Sequence, residues 1–226
     1  SRALLAFRTI RGRYGKLIGG ELPMVARKKN LSMGRRAMVR VMVGRDSREA
    51  TVRAFVERYH ADRPHGERVA ALARDLYRKA APRPDLDVER HVAWAAKLHE
   101  VGYTVSHIGF HRHGAYILGN ADMPGFSRQE QQWMSLLVLG CRGGLDKVEG
   151  ALSHASLRAQ LLALRLAVLF HHNRQPIDLP AIRIRAGRAF RVEVPVRWLR
   201  AHPLTDHLLA KERDEWRKAG WAWRLG

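Results

Sequence analysis

At 226 residues and 46% hydrophobic content, the chain has room for one large domain, or a domain plus an arm, and is too apolar for wholesale disorder. Its net charge of +20 favours polyanionic partners: nucleic acid, nucleotides, condensed phosphates or anionic lipid. No apolar run approaches the ~20 residues needed to cross a bilayer. The start lacks the apolar stretch of a secretory signal. The single cysteine, Cys141, excludes an internal disulfide and fits a reducing cytoplasm, where we expect the protein to reside.

Residues 1–43 differ from the rest. They carry eleven Lys and Arg against one acid, Glu21, with five glycines, a basic run Arg27-Lys28-Lys29 and no sustained period of 3.6 or 2. They read as a basic Gly/Arg-rich arm, and residues 44–226 as a helical domain. Asp46 and Ser47 are suited to cap a helix whose apolar face is Val52, Phe55, Val56 and Tyr59. Pro64 fits the first turn of a second helix that runs to about Ala80. After Pro82-Arg83-Pro84 a third helix spans roughly Asp87 to Val101, stopped by Gly102, with His99 and Glu100 on its last turn. A short helix follows from His111 to about Gly119, and Ser127-Arg128-Gln129-Glu130 is a capping box opening another through Leu139. A further helix spans about Ser156 to His172, and His171-His172-Asn173-Arg174 reads as its solvated end.

The period then changes. Ile182-Arg183-Ile184-Arg185 and Phe190-Arg191-Val192-Glu193-Val194 alternate around Ala186-Gly187-Arg188-Ala189, as a small antiparallel hairpin would, and one of its faces is strongly basic. That face suits capture of a long polyanion and equally suits a solvated surface. Thr205 to Lys218 closes the chain as an amphipathic helix. The fold class is therefore mainly α, with one small hairpin near the C-terminal end.

The densest chemistry lies between Lys97 and Phe126. Four of the twelve histidines fall there (His99, His107, His111 and His113), beside Glu100 and Arg112. Three imidazoles next to an arginine are costly to bury without partners, and phosphate oxygens would supply acceptors. Arg165, on an otherwise apolar helix face, is placed to satisfy a buried acid such as Glu100 or to reach phosphate bidentately. Arg174 adds a further positive charge. No helix-turn-helix, zinc or ribonucleoprotein pattern accompanies the charge, so a nucleic-acid-binding module rests on charge alone.

The order His65, then His99-Glu100, on successive helices resembles the HD superfamily of helical metal-dependent phosphohydrolases, whose motif is His…His-Asp…Asp. Glu100 stands where an aspartate is expected, and Val168 falls where the last metal-binding aspartate would be. Since valine cannot ligate and hard cations want carboxylate oxygen, we expect no complete metal site. His65, His99 and Glu100 are then a remnant of one. An autonomous HD-type hydrolase is the alternative.

The closer resemblance is to the C-terminal domain of the exopolyphosphatase / guanosine pentaphosphate phosphohydrolase (Ppx/GppA) family, itself a degenerate HD-like helical domain. It rests on Leu98-His99-Glu100-Val101-Gly102, on Ser106-His107 through His111, His113 and Ala115-Tyr116-Ile117-Leu118, and on Asn120, Asp122 and Pro124-Gly125-Phe126. It covers about Gly44 to Leu225. The resemblance implies release of terminal phosphate from inorganic polyphosphate, or of the 5′ phosphate of guanosine pentaphosphate. Its catalytic machinery, with Mg²⁺, would lie in two preceding actin-like domains that have no counterpart here. This chain would then grip polyphosphate through His107, His111, Arg112, His113, Arg165 and Arg174, without catalytic residues or a metal of its own, and be inactive alone. Homodimerisation is typical of the family. Residues 1–43 would not be native family sequence but the product of a shifted frame or truncated gene.

Overall fold

A computed structural model describes residues 35–186 and 189–225 of the chain, with side chains described for residues 47–185 and 189–223. The expected arm therefore lies largely outside the described residues. Helix α1 runs Arg35–Arg58 and crosses the 43/44 boundary without a break. Asp46 and Ser47 are consequently inside a helix rather than capping one, a correction to the sequence reading. Residues before Asp46 continue the turn, so the first unsatisfied amides arise further upstream.

Helix α2 (Arg63–Ala80) starts as expected: Pro64 occupies its first turn, and the Asp62 carboxylate accepts from the His65 amide. Its buried face includes Val69, Ala73, Leu76 and Tyr77, spaced to make one stripe. Helix α3 (Leu86–Leu98) is capped by Asp85, which accepts from the amides of Asp87 and Val88. It ends three residues earlier than the sequence suggested. His99 is its C-cap, and Val101–Thr104 form a separate 3₁₀ turn.

Helix α4 (Phe110–Asn120) begins after Gly109, which takes a left-handed φ of 72°. Helix α5 (Arg128–Gly140) opens on the expected capping box, with Ser127 and Glu130 satisfying each other's amides. A one-turn helix α6 (Glu149–Leu152) leads into α7 (Ala155–Phe170), the most apolar element of the core. Helix α2 packs on both α3 and α7, α4 packs on α5, and α5 and α7 meet at the centre. No described helix is long and apolar enough to cross a membrane.

The hairpin is present: β1 (Arg183–Ala186) pairs antiparallel with β2 (Phe190–Glu193). A third strand, which sequence reasoning missed, is β3 (Trp223–Leu225), pairing in parallel with β2. Short helix α8 (Val196–Ala201) and helix α9 (Pro203–Lys218) lie between them. The sheet is two-faced. Ile182, Ile184, Phe190, Val192 and Trp223 are buried, whereas Arg183, Arg185 and Arg191 are exposed.

Candidate anion-binding site

A cavity of about 570 Å³ opens where the end of α3, the turn after α5, helix α7 and helix α9 converge. His65, His99, Glu100, Arg165, Val168 and Arg174 are among its lining residues, as are Tyr103, Arg142, Gly143 and Lys211. So the structure gathers His65, His99 and Glu100 with both later arginines. His107, His111, Arg112 and His113 lie outside this lining.

At the bottom sit two imidazoles and a carboxylate. His65 Nε2 is 3.6 Å and His99 Nε2 3.8 Å from Glu100 Oε1, and all three residues are buried. His99 Nδ1 is 2.6 Å from the Ala96 carbonyl, so in the neutral ring Nδ1 donates and Nε2 is an acceptor. Burial, reinforced by Arg174 and His171, pushes His99 down to about 4. Burial also pushes His65 down to about 4, against the opposing pull of Glu100. Both rings are therefore neutral at pH 7.

The ligand atoms of His65, His99 and Glu100 lie within 4.8 Å of one another, close enough to share a cation. The donor set does not fit Mg²⁺, which wants oxygen ligands in octahedral array. It offers one carboxylate, and Arg174 Nη2 already donates to Glu100 Oε1 at 2.5 Å. Val168, on the same cavity wall, supplies no ligand. A guanidinium neutralises Glu100 here.

Arg174 is tightly built. Its φ of 62° lies in the left-handed region, unusual for a side chain of this size. Its carbonyl accepts from Arg68, and its guanidinium lies 5.2 Å from the Tyr103 ring centroid. The reading of 171–174 as a solvated helix end holds for the exposed Asn173 and Arg174 and is corrected at His171. His171 is buried, its Nδ1 3.0 Å from the Ala167 carbonyl, and the turn after it brings Arg174 onto Glu100.

Arg165 satisfies a buried acid, but that acid is Glu212 of α9 rather than Glu100. Nε and Nη2 donate to the two Glu212 oxygens at 2.5 and 2.7 Å, while Nη1 and Nη2 also donate to the carbonyls of Gly140 and Gly143. With four donors engaged and 3% exposure, it is part of the cavity wall.

The histidine-rich segment does not converge on one hollow. His107 is exposed and packs against Tyr103, 4.8 Å between centroids. His113 is half-buried on α4, two residues from His111, a spacing that does not share a helix face. Only His111 joins a cationic group. A Cβ placed on Gly143 would lie 3.3 Å from Lys147 Nζ and 3.9 Å from His111 Nε2, which puts both beside the cavity rim. Burial, then Lys147, Arg112, Arg142 and Arg165, push His111 down to about 3. Every charge named there is positive. Its Nδ1 is buried with no hydrogen-bond partner among the described residues. Burial, with Arg165 and Arg112, also pushes Lys147 down to about 8, and its ammonium donates to the Arg142 carbonyl.

Sequence reasoning overlooked Arg142 and Lys147. The available signal was Cys141-Arg142-Gly143-Gly144 directly after a helix, a glycine pair that lets basic side chains crowd one turn.

The described residues form a helical domain with a mixed-charge cavity and a cationic rim. The family model described as Ppx/GppA phosphatase, domain III, matches residues 47–213. A guanosine-5′-triphosphate,3′-diphosphate pyrophosphatase of Pseudoalteromonas atlantica is 31% identical over 192 residues, covering 81% of this chain and 38% of that protein. A protein of the same name from Pseudoalteromonas translucida is 33% identical over 183 residues, covering 78% of this chain and 37% of its own length. One from Vibrio parahaemolyticus is 32% identical over 186 residues, with 78% and 37% coverage. The chain belongs to the Ppx/GppA phosphatase family and carries its domain III. It spans under two fifths of the length of these relatives.

Proposed function

We propose that this chain is the polyanion-gripping domain of an exopolyphosphatase-like hydrolase, holding inorganic polyphosphate while actin-like domains outside it release the terminal phosphate. The observation that carries this reading is the rim cluster. His111, Arg142 and Lys147 crowd around Gly143, and the half-buried Lys147 ammonium, which forms no ion pair within 4 Å among the described residues and feels only Asp146 as an opposing carboxylate, is better satisfied when an anion visits. Phosphate oxygens would accept from Lys147 and Arg142, and would raise the affinity of His111 for a proton. Mg²⁺ and water activation belong to the catalytic domains, since the His65–His99–Glu100 group does not suit that ion. Within the cavity, Arg174 and the neutral imidazoles position rather than cleave.

The names of the relatives favour a second substrate with the same chemistry, the 5′-triphosphate end of a guanosine nucleotide that also bears a 3′-diphosphate. Both substrates present phosphoanhydride chains to the rim. A titration separates them: fluorescently labelled polyphosphate bound to the purified chain at ~0.1 M salt, competed by guanosine 5′-triphosphate 3′-diphosphate or by RNA at equal phosphate concentration. We expect polyphosphate to bind, with Arg142→Ala/Lys147→Ala weakening it about tenfold and flattening its salt dependence by about one unit of slope per lost cation. RNA competing best would transfer the reading to nucleic acid. We also expect no Mg²⁺-dependent phosphate release by the isolated chain, and robust turnover would refute the division of labour.

A further inference from the structure

One arginine from each of the three strands falls in the same register row. Arg185 is the cross-strand partner of Arg191, and Arg191 is in turn the partner of Arg224. In the neighbouring rows Ile184 and Val192, and Phe190 and Trp223, are buried on the opposite, core-facing side. Arg185 and Arg191 are exposed, and neither forms an ion pair with a described residue. Like charges placed directly opposite across an antiparallel pair destabilise it. One row further, Arg183 faces Glu193, the arrangement that stability favours. The arginine row therefore costs stability, and sheet packing offers nothing in return, because the apolar contacts are all on the other face.

We propose that this arginine row is a second polyanion site, separate from the cavity, that holds the distal part of a long polyphosphate chain. The assignment rests on the reading of the domain as a polyphosphate grip. Strands about 4.8 Å apart set the Arg185 and Arg191 stems at a spacing that a flexible phosphate polymer can follow. Guanidinium forks bind phosphate oxygens bidentately without needing a shaped pocket. A single-stranded nucleic acid is the less suited partner. Its bases want aromatic platforms beside the cations, whereas Phe190 and Trp223 of this sheet are buried on its other face.

The test compares the full chain with Arg191→Glu and, separately, with Arg185→Gln, titrated with long-chain polyphosphate and with tripolyphosphate. Arg191→Glu puts a carboxylate opposite Arg185, so thermal stability should hold or rise while long-chain affinity falls about tenfold, with the salt slope reduced by about two for the charge reversal and one for the neutral variant. Tripolyphosphate, short enough for the rim alone, should bind all three proteins equally. Long-chain affinity unchanged in both variants overturns the proposal and leaves the grip reading intact. Loss of affinity only in step with a lowered melting temperature also overturns it. Wild-type chain that binds neither phosphate defeats the grip reading itself, and this site with it. An equal loss of RNA binding, with RNA preferred by the wild type, would assign the row to nucleic acid instead.

Discussion

Arg165 and Glu212 set the terms on which the cavity wall stands. Each is buried, and each is the other's counter-charge across a two-point contact, with Trp216 Nε1 adding a donor to Glu212 at 2.7 Å. Arg165→Leu leaves the carboxylate without its cation and is expected to cost about 3–5 kcal/mol in urea unfolding. The double replacement Arg165→Leu/Glu212→Leu should recover most of that loss, because it removes both desolvation costs together. A double variant as unstable as the single one would show that the carbonyl contacts, rather than the charge pair, hold the turn. That Arg165 meets an acid was legible from one arginine in an apolar run. Which acid it meets was not, since Glu212 is 47 residues away.

At the scale of elements, the joint between α3 and α4 decides where the site residues land. Gly102 lies against the start of α4 so closely that a Cβ there would be 1.9 Å from the Phe110 carbonyl oxygen and 2.5 Å from the Gly114 nitrogen. Those are backbone atoms and cannot swing aside. Gly102→Ala is therefore expected to destabilise the fold by about 2–3 kcal/mol in chemical denaturation. It should also disturb the Tyr103–Phe110 stack that borders the cavity. An alanine variant of wild-type stability would contradict the close approach. Composition marked Gly102 as a helix stop; its actual constraint, contact with a later helix, is a tertiary fact. The same limit explains β3. Three residues after Gly220-Trp221-Ala222 show no alternation long enough to read, and the strand exists because β2 offers it an edge.

For the whole molecule, pH couples to stability through the buried imidazoles. His65 and His99 are held at about 4 in the folded state, below the ordinary histidine value near 6.5. Between those limits the unfolded chain binds protons that the folded chain refuses. Their contribution is thus complete above about pH 6.5 and is lost as pH falls toward 4. Thermal or urea unfolding from pH 8 to 4.5 should show a plateau, then a loss of a few kcal/mol, steeper than a salt-matched His99→Gln variant shows. A flat profile between pH 7 and 5 would mean that these rings take up protons when folded. The sequence by itself determined the helical class, the hairpin, the Ser127 cap and the family, because those depend on residues a few positions apart and on local motifs. Only the tertiary structure decided that His65, His99 and Glu100 meet Arg174, that His107 and His113 stay apart from that group, and that three arginines share one sheet row. Those juxtapositions depend on how helices and strands distant in sequence pack, and no local pattern encodes which partner a buried charge will find.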